Sequence, residues 1–158
     1  MNEEDRAHLL RTLASVFEGL AFMFVDEADD DLGSADGFIG AGIGFWGRGL
    51  AGELEIIVPA DVCTELAENI LGTDEGDEAL PEGSGASALA EVLNVACGYL
   101  LVQKHGDDHI FDLSIPSTRP VTAAEWERLS TDDRYALFGV DDAPLLARFS
   151  ESPAESPA

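Results

Sequence analysis

Glu91 and Asn94 stand three residues apart in the run ALAEVLNVACGYLL, residues 88 to 101, with Ser87 before them and Gly98 after. On a helix of about 3.6 residues per turn these four positions share a stripe roughly 60° wide. The stripe sets a carboxylate one turn from a carboxamide, which both donates and accepts hydrogen bonds. Leu89, Val92, Leu93, Ala96 and Leu100 recur at the spacing of the opposite, core-facing side. Glu-x-x-Asn on the wet side of a helix is common by chance, so the stripe alone has two readings: solvated surface, or working face. Its other members, Ser87 and Gly98, are small, so the two functional groups protrude from a low surface. A glycine inside a helix also costs about 1 kcal/mol relative to alanine. A helix face selected only for solubility would more often carry lysine and glutamate. An open, weakly built patch suits a surface that must approach another protein.

Other chemistries find no support. His8, His105 and His109 show no metal-ligand pairing: His105 and His109 flank a turn and lack cysteine or carboxylate partners at useful spacing. No Gly-x-Ser-x-Gly elbow and no phosphate loop occurs. GFIGAGIGFWG has three glycines at spacing two, but a second strand follows it where a dinucleotide fingerprint needs a helix. DEADDD lacks the ordered positions of a calcium loop and reads as a solvated run. Cys97 lies near the edge of the stripe, yet no histidine has a reason to stand beside it as a base. Cys63 and Cys97 fall inside predicted helices and are expected to be reduced and buried, as in the cytoplasm.

Thirty-two acids against eight bases give a formal net charge of −24, with Lys104 the sole lysine. Such a chain repels nucleic acid and anionic membrane surfaces, so neither is an expected partner. The excess acid reads as solubility or adaptation to a salty cytoplasm rather than recognition of a basic partner. The acidic start MNEEDRAHLL is no signal peptide, and no uninterrupted run of about 18 apolar residues is present to span a membrane. A cytoplasmic location is expected.

The elements that must position the stripe can be read along the chain. Residues 4 to 25 form a first long helix, through Leu9, Leu13, Val16, Phe17, Leu20 and Phe24. Residues 25 to 37 read as an acidic, glycine-containing loop. The glycine-rich strand then puts Ile39, Ala41, Ile43 and Phe45 on one face and leaves the other bare, and LEIIVP, residues 54 to 59, follows as a second strand. A short helix ends near Gly72, a connector without apolar periodicity follows, and the striped helix covers about 84 to 104. HIFDLSIP, residues 109 to 116, alternates as a strand. The following connection includes a helical turn near 124 to 129, and residues 134 to 140 and 143 to 149 make a final hairpin. Strands in adjacent runs indicate an α+β fold, with two long helices and a short helix packed on a largely antiparallel sheet. Residues 1 to 150 form one domain, and residues 151 to 158 a low-complexity tail expected to be disordered.

The pattern Ser87-x-x-x-Glu91-x-x-Asn94, followed after 21 intervening residues by Pro116 at the end of a strand, resembles the CheX/CheC/FliY family of chemotaxis phosphatases. LEIIVPADVCTELAENILG and a leading helix ending EGLAFMF resemble the rest of a CheX-type, CheC-like domain. Ser87 occupies a place where aspartate is frequent, and the gap to Pro116 is one residue shorter than the usual pattern. The resemblance implies dephosphorylation of a phosphorylated CheY-like response-regulator receiver domain. Asn94 would orient the attacking water, Glu91 would pair with a lysine of the receiver, and Ser87 and Gly98 would lie on the binding face. Mg²⁺ would belong to the receiver, with no cofactor of the chain's own. The first helix carries Glu18-x-x-Ala21 in place of the motif, so no second site is expected. A homodimer paired through sheet edges is also implied. Two other readings stay open: a non-catalytic receiver-binding or scaffold module of the same fold, and an acidic structural domain with an accidental stripe.

Overall fold

Strict alternation makes GFIGAGIGFWG the strand β2 (Gly37–Gly47), which turns through Arg48 and Gly49 into β3 (Leu50–Pro59). Both turn residues have positive φ, 54° and 75°, as a two-residue hairpin turn requires, and Gly49 adopts this without strain. The computed structural model describes residues 1–28, 35–71, 81–108 and 110–154. Around this hairpin lie α1 (Glu3–Ala21), β1 (Val25–Glu27), α2 (Ala60–Leu71), α3 (Ser84–His105), β4 (Asp112–Leu113), β5 (Ser117–Thr122), α4 (Ala123–Ser130), β6 (Ala136–Val140) and β7 (Ala143–Pro153). The strands form one antiparallel sheet in the order β1-β6-β7-β3-β2-β4, with β5 also beside β2. This is the expected α+β class.

The main core lies between one sheet face and the helices α1, α2 and α3. Ala41, Ile43 and Phe45 of β2, Leu54, Ile56 and Val58 of β3, and Leu145, Ala147 and Phe149 of β7 meet Leu9, Leu13 and Phe17 of α1 and the apolar side of α3. The opposite sheet face is bare at Gly42 and Gly44, as the alternation predicts. At its other end, however, α4 covers it. Trp126 stacks on Phe38 at 4.2 Å between ring centroids, over a second cluster of Ile57, Val121, Leu129 and Leu146. Thr122 caps α4 by accepting a hydrogen bond from the Glu125 backbone N–H at 3.1 Å.

Several expectations need correction. The first helix stops at Ala21 rather than 25, because Phe22 turns left-handed (φ 55°) and its N–H closes the last turn. Phe24 therefore leaves the helix and is exposed, and Val25–Glu27, read as loop, pairs with β6. Of the strand expected over 109 to 116, only Asp112–Leu113 pairs. The longer strand is β5, in the stretch read as a connection, so Pro116 precedes a strand instead of ending one. Pro120 in β5 is tolerated because β5 lies at an edge. The tail is ordered at its start: Ser150, Glu151, Ser152 and Pro153 continue β7 in register with β3. Residues 155 to 158, the second half of DEADDD, the end of the short helix at Gly72 and His109 lie outside the described residues.

Candidate functional site

α3 is a core helix with one open side. Gly83 (φ 87°) starts it and Gly106 ends it, the Gly106 N–H donating to the Val102 carbonyl at 2.8 Å. Its N-terminal turn lies close against α2, since a Cβ at Gly85 would come within 3.1 Å of the Cys63 side chain. Ala88, Leu89, Val92, Leu93, Ala96, Cys97, Leu100 and Leu101 are buried. Among the described residues α3 alone has the length and mean hydropathy of a membrane span. The sheet and neighbouring helices cover its apolar side.

The C-terminal end of α3 is fixed by a charged clamp. Lys104 Nζ donates to Asp5 Oδ1 at 2.6 Å and to Glu151 Oε1 at 2.5 Å, and His105 Nε2 lies 2.9 Å from Glu151 Oε2. The ammonium also sits 4.7 Å from the centre of the Phe149 ring. Burial works against the charge of Lys104, but its two carboxylate partners outweigh that and raise its pKa. Burial likewise opposes the Glu151 carboxylate, and the bonds from Lys104 and His105 outweigh it, leaving its pKa lowered. The single lysine thus ties the start of α1, the end of α3 and the end of β7 together. The arrangement holds the helix axis, and with it the stripe, in one position.

Ser87, Glu91 and Asn94 are exposed on that axis, and Gly98 is half-buried. Among the described residues, neither Glu91 nor Asn94 has a side-chain hydrogen bond or ion pair. A Cβ at Gly98 would meet nothing within 4 Å, so packing inside this chain does not demand the glycine. A groove of about 400 Å³ between α2 and α3 opens beside Ser87 and Glu91, with Ala67, Ile70 and Leu71 on its α2 wall. The arrangement offers a carboxylate and an amide, on a helix held in place, to whatever docks there. On α1, Glu18 is exposed but Ala21 is fully buried, and its carbonyl accepts a hydrogen bond from Asn69 Nδ2 at 2.8 Å. That position presents no group to a partner.

Three residues on the same side of α3 went unnoticed in the sequence. Val95, Tyr99 and Val102 are 37%, 46% and 49% exposed. Their offsets of four and three place them beside Glu91, on the flank away from Asn94, and that spacing is the signal the sequence offers. Burial pushes both Cys63 and Cys97 up to about 12, so neither is a thiolate at neutral pH. Among the described residues no group of three or more His, Cys, Asp or Glu side chains could hold a metal ion.

Neither a family model nor a curated protein matches the sequence. Solved structures match its fold along nearly the whole chain. The chemotaxis protein CheX from Vibrio vulnificus is 16% identical, with a TM-score of 0.67 over 94% of this chain and 97% of that one. CheX in the CheX–CheY–BeF3–Mg complex from Borrelia burgdorferi is 18% identical, with a TM-score of 0.62 over 95% and 97%. A CheC-like superfamily protein from Shewanella sp. PV-4 is 21% identical, with a TM-score of 0.61 over 96% and 99%. Helices on a mostly antiparallel sheet, with one long helix open on its outer side, give this chain the fold shared by the CheX, CheC-like and FliY proteins.

Proposed function

We propose that the protein is a phosphatase acting on the aspartyl phosphate of a CheY-like receiver domain. The observation that carries this is Glu91 and Asn94, exposed one turn apart and unpartnered, on the core helix of a CheX-like fold. A solved structure with that fold holds CheX together with CheY, BeF3 and Mg²⁺. In the proposed reaction Asn94 enters the receiver's active site and holds a water in line with the phosphorus. The water oxygen bonds to phosphorus as the bond to the aspartyl oxygen breaks; inorganic phosphate leaves carrying the water's two protons, and the free carboxylate stays on the receiver. Glu91 pairs with a receiver lysine and fixes the docking angle, while Ser87 and Gly98 keep the approach low. Mg²⁺ is the receiver's and neutralises phosphate charge there. Alignment and charge stabilisation supply most of the catalysis of phosphoryl transfer, so two positioned side chains suffice. An amide suits the task because it adds no negative charge beside the phosphate.

The test is the rate of phosphate loss from receiver domains of the same genome, each phosphorylated with a small-molecule donor, with and without the protein. Acceleration of at least one receiver is expected. Binding without acceleration would replace the phosphatase by a receiver-binding scaffold, and neither binding nor acceleration would overturn the reading.

A further inference from the structure

Val95, Tyr99 and Val102 make an exposed apolar strip that nothing in the catalytic proposal uses. At about 1.5 Å rise per residue, Tyr99 lies about 7.5 Å and Val102 about 12 Å along α3 from Asn94. On the helical wheel they form one flank of the open side, with Asn94, Gly98 and Ser87 on the other and Glu91 between. The clamp at Lys104 and His105 fixes the helix just beyond Val102. The strip therefore rides on a helix held at that end, and it adjoins Glu91.

Charge makes such a strip necessary for docking. The chain carries −24, and a phosphorylated receiver pocket is itself acidic, so long-range electrostatics oppose the encounter. Five of the eight basic side chains are engaged elsewhere: Lys104 in the clamp, Arg6 with Glu27, Arg119 with Glu125, Arg134 with Asp132, and Arg148 with Glu53. Within the stripe Glu91 is the one ionised side chain, and one ion pair offsets little. Burying a tyrosine and two valines against an apolar surface supplies binding that charge cannot.

We infer that Tyr99 and Val102, with Val95, are the docking and selectivity surface for the receiver, whose matching face must carry an apolar patch beside its active-site mouth. This rests on the proposed phosphatase reading and adds to it the feature that selects one receiver among many.

The test compares the unmutated protein with the double variant Tyr99→Ser, Val102→Ser and with Asn94→Ala. The receiver accelerated by the unmutated protein is used in its beryllofluoride–Mg²⁺ form for binding and in its phosphorylated form for turnover. Circular dichroism checks the fold, which exposed substitutions leave within about 0.5 kcal/mol. The double variant is expected to raise Kd and KM about tenfold or more, as loss of a buried aromatic anchor does. Its kcat should stay within about twofold, and the binding deficit should be the same at low and high salt, as an apolar contact requires. Unchanged Kd and KM in the double variant would overturn the docking strip while an effect of Asn94→Ala left the phosphatase standing. So would a deficit that fades with salt. If no receiver is accelerated or bound, the phosphatase reading fails and the strip falls with it.

Discussion

In the proposed reaction an amide and a carboxylate on one helix face would divide two tasks that a single residue type could not perform. Asn94 can accept from and donate to a water without repelling the phosphate that the water attacks. Glu91 would repel that phosphate at close range, and its place one turn earlier suits a cation at the rim of the receiver's pocket. Glu91→Ala should therefore raise KM more than it lowers kcat. The loss should be largest at low salt and shrink as screening replaces the missing pair; titrating receiver at two ionic strengths measures it, and a salt-independent loss would contradict this role. At this scale much was legible. The offsets of Ser87, Glu91, Asn94 and Gly98 fix their common face on any helix, and the flanking leucines fix which face is buried. Tyr99 and Val102 were not legible as surface, because valine and tyrosine near a leucine-rich run read as core. The position of the neighbouring elements, among the described residues, leaves them about half exposed.

The element that most constrains the site is α3, and its C-terminal clamp has a calculable pH signature. Glu151 has a folded pKa below its ordinary 4.5, so its contribution to stability is present above about 4.5 and fades as pH falls through the folded value. Lys104 has a folded pKa above its ordinary 10.5, so its contribution is complete below that value and is lost as pH rises through the folded one. Lys104→Met should cost about 1–3 kcal/mol at neutral pH, since two carboxylates lose their partner in a half-buried site. The gap in unfolding free energy between variant and unmutated protein should narrow on acidification below about pH 4.5. Denaturant melts at pH 7 and pH 3.5 check this, and a gap independent of pH would contradict the clamp. Helix and hairpin interiors were read correctly from periodicity, whereas ends and edge strands were not. The end of α1 carries no glycine to mark it, since Phe22 itself takes the left-handed turn. β5 was hidden by Pro120, which argues against a strand unless the strand is known to lie at an edge. SESPAESPA looked like a tail because its composition is tail-like, and only the pairing of Glu151 with Lys104 and His105 gives its first residues a reason to be ordered.

For the whole molecule, the excess of acid governs how the domain meets other proteins and its own copies. An edge-paired homodimer would have to use the three-residue β1, the two-residue β4 or the outer side of β5, where Ser117, Thr118 and Arg119 are exposed ahead of Pro120. Sedimentation in about 0.15 M salt, where charge is screened within about 8 Å, should show the dimer, and a monomer at high protein concentration would contradict it. The fold class and the place of the striped helix could be read from the order of periodic segments. The helical turn near 124 to 129 is α4, but its place on the far sheet face could not be read, because nothing in so short and charged a stretch sets Trp126 on Phe38. What the account claims centrally is that one exposed amide converts a docking domain into a phosphatase. Its most direct test is single-turnover loss of phosphate from the cognate receiver with unmutated protein, Asn94→Ala and the control Glu18→Ala, each with its affinity for the beryllofluoride-charged receiver. Asn94→Ala should bind within about twofold of the unmutated protein and lose about a hundredfold or more of the acceleration, as removal of one well-placed polar group from a transition state does, while Glu18→Ala changes neither. An Asn94→Ala protein that dephosphorylates the receiver as fast as the unmutated one would contradict the account.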